Sequence, residues 1–143
     1  EPATFQFMLH GLSAFKVDDQ AQTLRLQQPK AGLVVRYVSA QPLQFKQWDG
    51  FKPEPMRGDF PNHWHVEAST SAKQKTAANL TLLFPYKGAS APATAAQRWD
   101  TPQATVVEFT VNGKKTTAAF RKAGVAAPVE ARGLKLDGPV AVQ

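Results

Sequence analysis

Cysteine is missing from this chain. That excludes disulfide staples, thiolate catalysis and every metal site built on sulfur. No apolar run approaches the length of about 18 residues that a membrane-spanning helix requires. The opening EPATFQFMLH lacks the charged, apolar and small-residue zones of a signal peptide, so an internal start or prior removal of a leader is expected. No glycine-rich phosphate loop is present, because GASAPATA lacks both the lysine and the strand-to-helix setting of one. No long helical pattern competes with the strand signals. Acid is the scarcer charge, with 11 acidic against 17 basic residues and a formal net charge of +6. The basic residues are scattered; the densest groups are Lys73/Lys75, Lys114/Lys115 and Arg121/Lys122. They do not interleave with aromatics as in nucleic-acid-binding sheets, so no nucleic acid is expected as partner; the modest positive field suits acidic glycans or lipid head groups, and equally a soluble lysine-rich face.

What is present is β signal. Phe5, Phe7 and Leu9 alternate with polar or flexible neighbours, as a half-buried strand does, and His10-Gly11 marks its end. Short strands follow around Phe15 and Val17 and in TLRLQQ. GLVVRYVSA has the continuous apolar character of a central strand. HWHVEAST and NLTLLFPYK read as two more. Between GLVVRYVSA and HWHVEAST, residues 42–63 carry Pro42, Pro53, Pro55 and Pro61 with Phe45, Trp48, Phe51 and Phe60, which predicts a long aromatic-rich excursion. GASAPATAAQRWDTPQ reads as a flexible crossing or surface loop. Around Asn112-Gly113 two alternating runs predict a tight hairpin, and GLKLDGPVAV supplies two last short strands. About eight to ten short strands in a chain of this size predict one all-β domain, 1–143, of two antiparallel sheets packed face to face.

Three sets of residues could carry chemistry. His63, His65 and Glu67 fall on one side of their strand, opposite Trp64 and Val66, and two imidazoles with a carboxylate could ligate zinc. That spacing alone does not make a metal site, and the same side chains serve as well in hydrogen bonding; no metal or other cofactor is expected. His10, at a strand end, has the side chain of a general base but no partner nearby in sequence. Trp48, Phe51, Phe60, Trp64 and Trp99 offer flat apolar faces for sugar rings, for loop packing or for contact with another domain. Asp49, Glu54, Asp59 and Glu67 are the acids nearest the aromatic excursion. A glycosidase needs two carboxyls at a set separation, which sequence does not define.

The succession FMLH, a VDD turn, LRL, GLVVRYVSAQP, WDGF, FPNHWHVE and LTLLFPYK resembles the C-terminal β-sandwich of heparinase II/III-like polysaccharide lyases. The resemblance runs from about Phe5 to Lys87 and more loosely to Val142. It implies an ancillary domain packed on a preceding α/α-toroid of the same protein. The toroid would supply most of the residues that remove the C5 proton of a uronic acid and eliminate the 4-linked sugar. None of those catalytic motifs is matched in this chain, so no catalytic residue is assigned and the isolated domain is expected to be inactive. The resemblance further implies a bacterial periplasmic or secreted protein and an acidic polysaccharide as partner. The residues expected at the glycan or at an interdomain contact are His10, Trp48, Phe51, His63, Trp64, His65 and Trp99. An independent carbohydrate-binding module and a structural or adhesive sandwich without sugar affinity are the other readings these residues allow.

Overall fold

A computed structural model describes residues 1–51, 53 and 61–143. The described residues form thirteen strands and no helix, and every strand pairing is antiparallel. They divide into two compact units, Glu1–Ala91 and Pro92–Gln143.

The first unit holds β1 (Gln6–Gly11), β2 (Lys16–Asp18), β3 (Thr23–Gln27), β4 (Ala31–Ser39), β5 (Leu43–Asp49), β6 (Trp64–Thr70) and β7 (Asn79–Lys87). They make a three-stranded sheet, β1-β6-β5, and a four-stranded sheet, β2-β3-β4-β7. One cluster of buried residues joins the two: Leu24, Val35 and Tyr37 from the larger sheet, Leu43, Val66 and Ala68 from the smaller, and Phe15 from the segment before β2. This is a two-sheet sandwich. The apolar run of β4 is explained by its place between β3 and β7.

β5 corrects the reading of residues 42–63 as one excursion. Its flanking prolines hide a seven-residue strand, and proline is compatible with its place because β5 lies at the edge of its sheet. Its Leu43 and Phe45 turn inward. Glu54, Pro55, Gly58, Asp59 and Phe60 of that excursion lie outside the described residues.

The second unit holds β8 (Thr94–Asp100), β9 (Ala104–Val111), β10 (Lys114–Arg121), β11 (Val129–Ala131), β12 (Leu134–Leu136) and β13 (Val140–Val142). A four-stranded sheet, β13-β10-β9-β8, is covered on one face by the β11–β12 hairpin. Val129, Ala131, Leu134 and Leu136 of the hairpin pack on Ala104, Val106 and Ala119 of the sheet. β9 and β10 are joined at Asn112-Gly113, whose φ angles of 49° and 80° are those of a primed two-residue turn. β8 corrects the reading of residues 88–103 as a loop: an alanine-rich strand pairs with β9 from Thr94 to Asp100.

Candidate functional site

The alternation of β6 sends Val66 and Ala68 into the sandwich core and His65 and Glu67 to the opposite face of the three-stranded sheet. Register then decides who their neighbours are. His65 is directly opposite His10 on β1 and Trp48 on β5, and Glu67 is opposite Met8 and Lys46. The outer face therefore carries two cross-strand rows, His10–His65–Trp48 and Met8–Glu67–Lys46.

In the first row the side chains touch. His10 Nδ1 and His65 Nδ1 are 2.6 Å apart, a hydrogen bond in which one ring donates and the other accepts. The two rings meet edge to face, with centroids 4.6 Å apart. On the other side of His65, the Trp48 indole stacks nearly parallel, at 5.4 Å and 12°. Phe51 closes on the same imidazole edge-on at 5.6 Å and contacts His63 at 5.4 Å. Gly50 makes this possible: its φ of 79° turns the chain at the end of β5, and its N–H donates to the carbonyl of His63.

Three rings thus enclose His65, which is only 8% exposed although it lies on the sheet's outer face. Its Nε2 is buried and has no hydrogen-bond partner among the described residues. An unsatisfied buried polar atom costs about 1–3 kcal/mol, which a hydrogen-bonding partner at this atom would recover. His10, by contrast, is exposed. Beside the row opens a concavity of about 480 Å³ lined by Lys46, Trp48, Gly50, Phe51, Pro53 and His65. The Lys46 ammonium is 5.7 Å from the Trp48 ring centroid, a cation held over an aromatic face.

Of the residues singled out in the sequence, the structure brings together His10, Trp48, Phe51, His63 and His65. Trp64 shares the face of Val66 and Ala68, the opposite side of β6. Trp99 belongs to the second unit, where it packs against the cluster under the β11–β12 hairpin with the Arg132 guanidinium 3.8 Å from its ring centroid. Among the described residues no three histidine, aspartate or glutamate side chains gather as a metal centre needs. Asp49 is tied to Asn62, whose Nδ2 donates to Oδ2 at 3.3 Å. Lys46 is the site residue that sequence reasoning passed over; its alternation with Trp48 along β5 was the signal, concealed while β5 read as loop.

No protein-family model, no curated protein and no solved structure matches this chain. Among the described residues no helix is long and apolar enough to cross a membrane.

Proposed function

We propose that this chain is an accessory β-sandwich module of a polysaccharide lyase, and that the outer face of its three-stranded sheet contacts an acidic glycan. The observation that carries the reading is the concavity walled by Trp48, Phe51 and His65 with Lys46 at its rim. Aromatic walls suit the apolar faces of sugar rings, and an ammonium beside them suits a uronate carboxylate. The net charge of +6 adds a long-range attraction for a polyanion. The order of strand motifs that resembles heparinase II/III-like lyases supports the same class of substrate. In this reading the elimination chemistry belongs to a helical toroid domain, and the module walls one side of its cleft. The protein works in the periplasm or outside the cell, where such polymers occur.

The test is binding of the isolated chain to a panel of uronate and neutral polysaccharides at low salt and at about 0.5 M salt, where charge attraction is largely screened. The absorbance of unsaturated product is followed in parallel. Salt-sensitive binding to a uronate polymer without product is the expected result. Salt-resistant binding to neutral polymers would instead favour a free-standing carbohydrate-binding module, which the pairing of Trp48 with Phe51 in one concavity also suits. Absence of binding would defeat both.

A further inference from the structure

The geometry points to His65 Nε2–H as the hydrogen-bond donor that recognises a uronate carboxylate in this concavity, with His10 as the positioning residue that keeps the proton there. The inference rests on the reading of the outer face as an acidic-glycan site and assigns its central polar contact.

The Nδ1···Nδ1 bond of 2.6 Å admits one N–H and one lone pair. If His10 donates, His65 Nδ1 accepts, and the hydrogen of a neutral His65 must sit on Nε2. If His65 donates, its Nε2 is a bare acceptor. Two features select the first arrangement. His10 is exposed, so water can meet the lone pair left on its Nε2 when its Nδ1–H donates to His65. Lys46 is a further cation at the rim, so the ligand suited to the site is an anion, which needs donors. Because Nδ1 is committed to β1, Nε2 is the one polar atom that His65 can offer to the concavity it lines. It is also the atom left without a partner among the described residues. A carboxylate oxygen bound there would satisfy the buried donor while Lys46 balances its charge. Glu67, opposite Lys46, stands on the same face one row away and disfavours a second anionic group at that end.

Two measurements test this. The first needs no ligand: a long-range ¹H–¹⁵N spectrum of the histidine rings reports which nitrogen carries the hydrogen. The protonated atom of His65 is expected to be Nε2. The His10→Asn variant, whose side-chain amide can still donate to His65 Nδ1, should keep that pattern; His10→Leu should lose it and give a mixture of tautomers. A wild-type His65 carrying its hydrogen on Nδ1 would overturn the inference whatever the glycan results.

The second is calorimetric titration with a hexasaccharide of the uronate polymer bound most tightly in the panel above, and with its carboxyl-reduced neutral counterpart. His65→Gln, which keeps an N–H near the Nε2 position, should bind the uronate within about threefold of the wild type, whereas His65→Leu should lose about tenfold or more, as expected for a charge-assisted hydrogen bond. His10→Asn should bind like the wild type, and His10→Leu should fall between the wild type and His65→Leu, because a mixture of tautomers still offers Nε2–H part of the time. The preference for the uronate over its neutral counterpart should fall in His65→Leu and persist in His65→Gln and His10→Asn. Equal uronate affinity for His65→Leu and wild type would overturn the inference while leaving the glycan site standing. Binding of no uronate polymer at all would defeat the functional reading itself, and the tautomer measurement would still decide the hydrogen-bond assignment.

Discussion

Trp48 stacks on His65 across two neighbouring strands, the rings 12° from parallel with centroids 5.4 Å apart. One face of the indole is thereby taken by the imidazole, and Lys46 is held above the ring as well. In the proposed site a sugar would meet the exposed remainder of Trp48 together with Phe51, not an isolated aromatic plate. Trp48→Ala removes this wall and loosens His65 at the same time. We expect a loss of about tenfold or more in glycan affinity. The fold should change little, because Trp48 faces away from the core cluster; thermal unfolding measured beside binding separates the two effects.

Tyr37 illustrates a different kind of burial. Its ring packs in the sandwich core 5.4 Å from Phe45, and its hydroxyl is buried with no partner among the described residues. Burial pushes its pKa up to about 12 from the usual 10. The neutral phenol is the form the fold accepts, so this contribution is fully present below about pH 10 and is lost as pH rises through about 12. Tyr37→Phe should raise stability at neutral pH by about 1 kcal/mol and should flatten the alkaline limb of denaturant unfolding measured against pH. A clear loss of stability in the variant would mean the hydroxyl has a partner that matters.

Gly32 and Tyr86 face each other on β4 and β7. A Cβ built on Gly32 would overlap Tyr86 Cζ and the Tyr86 hydroxyl, so the end of the Tyr86 side chain lies where a side chain on residue 32 would stand. The Tyr86 hydroxyl also donates to Gln27 Oε1 at 2.7 Å. Gly32→Ala must push the ring aside and break that bond. The ring end can swing aside, so the expected cost is that of the lost hydrogen bond, about 0.5–1.5 kcal/mol, read as a lower urea midpoint. In a Tyr86→Ala background Gly32→Ala should cost less, since that truncation has already removed the obstacle and the bond.

In the second unit, Arg98 holds Asp100 through Nε at 2.7 Å. This hydrogen bond first, and then those from Thr105 and the charges of Arg98 and Lys122, lower the Asp100 pKa to about 2 from 3.8, against a smaller opposing effect of burial. The stabilisation is present above about pH 4 and is lost as pH falls through about 2. Asp100 is 38% exposed, so solvent screening keeps its worth below about 1 kcal/mol. Asp100→Asn should weaken the protein slightly at neutral pH, and the difference should fade as pH falls through about 2, which acid titration of the unfolding midpoint checks.

The sequence disclosed the parts of this fold that rest on local rules. Asn112-Gly113 announced its hairpin because few other residues adopt two successive positive φ angles, and the β4 run announced a central strand. β8 was not legible: TAAQRWD has no β-branched core, and its strand form depends on the ladder supplied by β9. β5 was hidden by prolines that an edge strand tolerates. The same limit applies to the site. Period-two spacing placed His65 and Glu67 on one face, but the His10–His65 bond joins residues 55 positions apart and depends on the register of β1 against β6, which no local pattern encodes.

The central claim, that the outer face of β1-β6-β5 receives an acidic glycan, is tested most directly by titrating ¹⁵N-labelled protein with uronate oligosaccharides and following each amide and the indole N–H signals. The account predicts shifts concentrated at Lys46, Trp48, Gly50, Phe51 and His65, diminished by salt and absent in Trp48→Ala. Shifts centred elsewhere on the protein, or none at saturating oligosaccharide, would contradict it.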